Sequence, residues 1–192
     1  MRRMERLEPS STVLMVVDLQ ERLAPAMEAT AFGNVLRATE LLLHAAELLG
    51  VRVLFTEQYP KGLGPTIPEI ASKASEAGAR ILPKATFDAL GDPDVRAAVL
   101  GATVHEIPGD VVVVGMEAHV CVYQTARSLV NVGARTHVVS DAVSSRTDTN
   151  RLLGLSMVER AGAYVTGTET VLFDWLERAG TDAFKQLSKL IK

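Results

Sequence analysis

The sequence predicts an α/β fold, a three-layer α/β/α sandwich around a mostly parallel six-stranded sheet. Two observations predict it. Short β-branched runs alternate with longer amphipathic stretches along the chain, the pattern of successive βαβ crossovers. The clearest of the short runs, TVLMVV at Thr12–Val17 and VVVVG at 111–115, are apolar throughout instead of alternating, as strands covered on both faces require.

Each element follows in order. After the strand at 12–17, residues 31–50 carry Leu and Ala at helical spacing and close on Gly50, a C-terminal cap signal. Residues 51–57 (VRVLFTE) form a second strand. The segment 58–68 (QYPKGLGPTIP) holds three prolines and two glycines and reads as a long loop, of the kind that is functional or disordered in compact domains. A helix over 69–77 leads to a third short strand near 80–83. Residues 92–100 read as a helix, 111–115 as the fourth strand, and 119–132 as a helix ended by Gly133. A fifth strand over 135–140, a helix over 149–161, a sixth strand over 163–166 and a helix over 169–178 complete the pattern. No repeat, low-complexity tract or boundary interrupts it, so residues 1–192 read as one domain with 1–10 as a short tail.

Composition limits the function classes. Of 192 residues, 47% are hydrophobic and 22% charged, enough apolar material for a sizeable core and too much for disorder. A net charge of −3 offers no attraction to nucleic acid or to an anionic membrane surface. No apolar run reaches the roughly 20 residues that span a bilayer. The basic stretch 1–6 lacks an apolar signal core and reads as a solvated tail. The single cysteine rules out an intramolecular disulfide and favours a reducing compartment. The expectation is a soluble cytoplasmic protein that meets a small-molecule substrate and neither nucleic acid nor membrane.

In a parallel sheet, ligands bind outside the carboxyl ends of the strands. That rule selects Asp18, residues 57–61, Lys84, residues 115–121 and residues 141–146. Cys121 falls at a helix start, where free N–H groups and the helix dipole lower a thiol pKa and can bind an oxyanion. Equally, a lone cysteine can be a small buried apolar residue. Asp18, next to an apolar core, is suited to proton transfer by a burial-raised pKa, or can simply cap the following segment. Lys84 can pair with Asp18 and stabilise negative charge, or lie solvated at the surface. Together the three supply the nucleophile, base and electrostatic partner of covalent acyl transfer.

Four segments carry a resemblance: VVDLQERL (16–23), LPKATFDAL (82–90), VVVVGMEAHVCVYQTARSL (111–129) and VVSDAVSSR (138–146). In order and spacing, over 11–175, the chain resembles the isochorismatase-like cysteine hydrolases, which include nicotinamidases and carbamoylsarcosine amidases. GMEAHVCVYQTA is the most diagnostic stretch, and FTEQYPKGLGPT (55–66) is similar to the isochorismatase-domain-containing branch. The resemblance implies the Rossmann-like fold of that superfamily and a catalytic triad of Asp18, Lys84 and Cys121. It also implies a cis peptide between Met116 and Glu117, and an oxyanion hole made by the backbone N–H groups of Glu117 and Cys121. Relatives assemble as dimers or larger rings, which implies a homo-oligomer, with the helix face over 124–132 and the C-terminal segment as candidate contacts.

Nicotinamidases bind a metal through an Asp and histidines in the loop after the second strand. Here Gln58 and Pro60 stand at an aspartate and a histidine position, and the loop contains no histidine. Loss of those ligands argues against zinc or iron, so no metal and no cofactor are expected. The expected function is a metal-independent cysteine hydrolase cleaving an amide C–N bond through a thioester. A vinyl-ether hydrolase of the isochorismatase type and a non-catalytic binding or redox-responsive module are the alternatives. Tyr59, Leu63, Phe87, Glu117 and His119 are substrate-binding candidates, each with ordinary packing or solvation as the other reading. Packing accounts for His44 and His137, His105 is expected to be exposed, and Asp141 and Arg146 are expected in a salt bridge or loop hydrogen bond.

Overall fold

β1 (Thr12–Val17) lies inside a six-stranded sheet of order β3-β2-β1-β4-β5-β6 in which every pairing is parallel. The other strands are β2 (Arg52–Gln58), β3 (Arg80–Lys84), β4 (Asp110–Met116), β5 (Arg135–Ser144) and β6 (Tyr164–Thr166). This is a computed structural model, and it describes residues 5–101 and 108–191. The position expected for His105 lies outside them.

The helices are α1 (Ala29–Leu49), α2 (Pro60–Leu63), α3 (Pro68–Glu76), α4 (Pro93–Leu100), α5 (Tyr123–Val132), α6 (Asp148–Arg160), α7 (Thr168–Leu176) and α8 (Asp182–Leu187). Successive residues of a strand point to opposite faces, so the central strands feed two cores. Leu14, Val16, Val112 and Val114 pack with α1, α3, α7 and α8 through Leu42, Ile70, Leu172 and Leu187. Val13, Met15, Val111 and Val113 pack on the other face with α4, α5 and α6 through Val99, Leu129 and Val158. That double coverage explains why β1 and β4 are apolar at every position except Thr12, Asp110 and Gly115.

Local chemistry sets the helix starts. Glu28 accepts from the N–H groups of Thr30 and Ala31 and opens α1 two residues earlier than the Leu/Ala periodicity indicates. Asp92 caps α4 through Asp94 and Val95, with Pro93 in the first turn, where its missing donor costs nothing. Gly50 closes α1 at φ +70°, a conformation that suits glycine.

Four features differ from the sequence reading. The Pro/Gly segment after β2 contains the one-turn helix α2, opened by Pro60. β5 runs on to Ser144, because an irregularity lets Val113 pair with Val138 while Gly115 pairs with Val143. α8 lies beyond the last periodic stretch. The N-terminal segment is docked from residue 5: Leu7 is buried, its N–H donates to Asp174, and Arg135 pairs with Glu5. Among the described residues no helix is long and apolar enough to cross a membrane.

Candidate active site

The chain leaves β1 toward β2 and β3 on one side, and β4 toward β5 and β6 on the other. Their adjacent carboxyl ends form the crevice where such sheets bind ligands. Asp18 leaves β1 there at φ +52°, its N–H bonded to the Thr56 carbonyl at 3.1 Å. Asp18 Oδ1 accepts from the Thr56 hydroxyl at 2.7 Å and Oδ2 from Lys84 Nζ at 2.7 Å. Lys84 ends β3, two strands away, and reaches across the end of β2. Asp18 is 0% and Lys84 3% exposed, so the solvated surface reading of Lys84 is wrong. The lysine is buried because a carboxylate and two further oxygens, Gln58 Oε1 at 2.6 Å and Thr86 O at 3.3 Å, receive its protons.

Cys121 sits on a π-helical turn, Ala118–Val122, between β4 and α5. The peptide bond between Met116 and Glu117, just before it, is cis. Glu117 O accepts from the Val120 and Val122 N–H groups, which frames Cys121 between two tethered neighbours. Two glycines allow the approach. A Cβ on Gly115, whose φ is +115°, would lie 2.0 Å from Val17 O, and one on Gly154 of α6 would lie 2.5 Å from the Ala118 carbonyl carbon.

Cys121 is 6% exposed, and its thiol lies within the influence of Asp18 and Lys84. Burial pushes the thiol up to about 12, with the Asp18 charge adding to the rise and Lys84 opposing it. The sequence expectation of a lowered thiol pKa is thereby corrected: the start of the helix is outweighed by desolvation and a facing carboxylate. Asp18 is also raised, by burial first, against the pull of Lys84, Thr56 and Cys121. The resting pair is a neutral thiol facing an unusually basic carboxylate.

The remaining candidates scatter around this centre. The Glu117 carboxylate is occupied: Oε2 accepts from the Arg146 N–H at 3.1 Å and Nε at 3.0 Å. Arg146 therefore pairs with Glu117, and Asp141 instead accepts from the Thr168 N–H. His119 is half-buried, with Nδ1 3.0 Å from Ser145 Oγ. Tyr59 and Phe87 are exposed at 59% and 55%, and Leu63 is half-buried on α2. His137 packs on Tyr164 and bonds Asp110 at 2.9 Å, whereas His44 is half-exposed near Glu47 instead of packed. A cleft of about 640 Å³ lies elsewhere, against α1, among Arg37, Asp141, Arg151 and Thr168.

Two residues of the cluster, Thr56 and Gln20, have no role in the sequence reading, and Gln58 enters it only as the replacement of a metal ligand. A signal existed for two of them, since Thr56 and Gln58 share one face of β2 at its carboxyl end and interrupt an apolar run. The donor set does not fit a metal. Gln58 gives its oxygen to Lys84 and its nitrogen to Ala85 O, and Pro60 opens α2. Among the described residues, no group of three or more His, Cys, Asp or Glu could hold an ion.

Residues 12–170 match the model of the isochorismatase domain. The chain is similar to isochorismatase domain-containing protein 1 of Danio rerio, 37% identical over 188 residues, covering 97% of this chain and 62% of that protein. It is 38% identical over 194 residues to the secreted isochorismatase effector Isc1 of Phytophthora sojae (strain P6497), covering 100% of this chain and 89% of that one. Among solved structures, the MAR1 ribonuclease from Caenorhabditis elegans matches with a TM-score of 0.86 at 35% identity, over 97% of this chain and 92% of that one. The chain thus spans less than two thirds of the Danio rerio relative, and most of the other two.

Proposed function

The chain belongs to the isochorismatase domain family, and from that premise we propose that it is a metal-independent cysteine hydrolase that opens the C–N bond of a small amide through a Cys121 thioester. One observation carries the reading: Cys121, Asp18 and Lys84 are buried together at the carboxyl end of the sheet, with Lys84 Nζ 2.7 Å from Asp18 Oδ2 and the Asp18 charge acting on the thiol.

The chemistry starts from a protonated thiol. Asp18 takes the Sγ proton as Sγ attacks the carbonyl carbon, so the charge moves onto the substrate oxygen without a free thiolate accumulating. The backbone N–H groups of Glu117 and Cys121 receive that oxyanion. The C–N bond breaks, and the amine leaves with the proton from Asp18. Water then attacks the thioester while Asp18 accepts its proton. The acid departs, and the same proton returns to Sγ. Lys84 keeps one positive charge beside Asp18 throughout.

Burial and the raised thiol pKa oppose a redox-sensor role, because sensor thiols are exposed and acidic. The Caenorhabditis elegans relative is named a ribonuclease, but a net charge of −3 gives this chain no overall attraction for a polyanion. The reading includes a cytoplasmic homo-oligomer, which light scattering on the purified protein and imaging of a tagged chain would test.

Intact-protein mass spectrometry with a panel of small amides tests the chemistry. The wild type should gain an acyl mass that Cys121→Ala lacks, with the variant still folded by circular dichroism. Full turnover by Cys121→Ala would overturn the reading, as would RNA cleavage that depends on Cys121 with no acyl adduct.

A further inference from the structure

Gln58, the last residue of β2, is tied at both ends. Its Oε1 accepts from Lys84 Nζ at 2.6 Å, and its Nε2 donates to Ala85 O at 2.7 Å. The carbonyl of Ala85 fixes which end of the carboxamide is nitrogen, so the oxygen must face the lysine. The backbone of Gln58 is held as well. Its N–H donates to Gln20 Oε1 at 2.7 Å, and its carbonyl accepts from Gln20 Nε2 at 3.0 Å. Gln20 is 0% exposed and also donates to Gly64 O, so the anchor is itself anchored.

Lys84 has three protons to place, and three oxygens receive them: Asp18 Oδ2, Gln58 Oε1 and Thr86 O. None is left over for a substrate. Lys84 therefore acts through Asp18, and its position depends on what holds its other side. We propose that Gln58 is the positioning residue of the site: its neutral carboxamide pins the Lys84 ammonium against Asp18 and so sets the field that the Cys121 thiol feels. The proposal rests on the reading of Cys121 as nucleophile. A neutral acceptor matters here. A carboxylate at 58 would share the Lys84 charge between two anions, and an apolar side chain would take one of the three acceptors from Lys84 and the side-chain donor from the Ala85 carbonyl.

Alkylation of Cys121 by iodoacetamide, followed by intact mass across pH, reads that field without any substrate. The charged groups acting on the thiol are Asp18, Lys84 and Glu117. Gln58→Met should shift the rate–pH profile upward, read as about tenfold slower modification at a fixed pH of about 8.5. Lys84→Met should shift it in the same direction, and Gln58→Met should add nothing in the Lys84→Met background. Should Lys84→Met not fold, the Asp18→Asn/Lys84→Met pair serves as the background, since it leaves no unpaired buried charge. A folded Gln58→Met with an unchanged profile would overturn the proposal, and so would an equal shift in either background. If no amide acylates Cys121 and the cycle still behaves as described, the hydrolase reading fails and the positioning role stands.

Discussion

Lys84 Nζ stands 2.7 Å from Asp18 Oδ2 with both side chains fully withdrawn from solvent. A buried pair is costly to make and costlier to break, because removing one partner strands the other charge in a low dielectric. Lys84→Met alone should therefore destabilise the fold by about 3–5 kcal/mol. The pair Asp18→Asn/Lys84→Met should recover most of that loss, since neither charge remains. Urea denaturation of the single and double variants measures it, and simple additivity of the losses would contradict the pairing.

Cys121 makes stability fall in alkali. Its thiol titrates near 9.0 in an unfolded chain and at about 12 when folded, so the folded state keeps a proton that the unfolded state has released. The contribution is intact below pH 9 and is lost as pH rises toward 12. Between about pH 8.5 and about pH 10.5 the wild type should lose about 2 kcal/mol more stability than Cys121→Ser, which has no titrating thiol. Parallel loss in the two proteins would place the alkaline effect elsewhere.

The strand ends that carry this site were legible for a physical reason. β1 and β4 are covered on both faces and read as unbroken apolar runs, so their last residues, and hence Asp18 and the Cys121 turn, could be located from the sequence. β5 was cut short at 140 because its irregularity puts Ser140 and Asp141 in the middle of the strand, where polarity imitates an end. The burial of Lys84 was not legible, since it depends on Asp18 and Gln58, 66 and 26 residues away along the chain. The thiol pKa went astray for a related reason: the helix start was visible in the sequence, but the desolvation and the facing carboxylate were not.

Gly154 sets how closely α6 approaches the turn that carries Cys121. A Cβ there would lie 2.5 Å from the Ala118 carbonyl carbon and 2.6 Å from the His119 nitrogen, both backbone atoms that cannot swing aside. Gly154→Ala should cost about 1–3 kcal/mol by overpacking. It should also lower turnover, because the turn it displaces carries Cys121. Gly33→Ala in α1 is the matched control. Its nearest neighbour is the far end of Arg37 at 3.7 Å, so it should stabilise by about 0.5–1 kcal/mol. Thermal denaturation and steady-state rates on both variants separate local crowding from a general effect of alanine.

Tyr59 and Phe87 follow the ends of β2 and β3, and both rings are more than half exposed. Tyr59 is nonetheless fixed. Its N–H donates to Lys84 O at 2.8 Å, and its ring lies over Gly62, where a Cβ would meet Cδ1 at 2.5 Å. An exposed aromatic held in this way contributes little to the core, so truncation to Ala should change stability by no more than about 0.5 kcal/mol at either position. If the rings form the rim over which substrate enters, each truncation should raise KM several-fold and leave kcat nearly unchanged, the mark of binding shared by ground and transition state. A fall in kcat with KM unchanged would contradict the rim and place the Tyr59 side chain in the chemical step. Comparing Tyr59→Phe with Tyr59→Ala then isolates the ring from the hydroxyl.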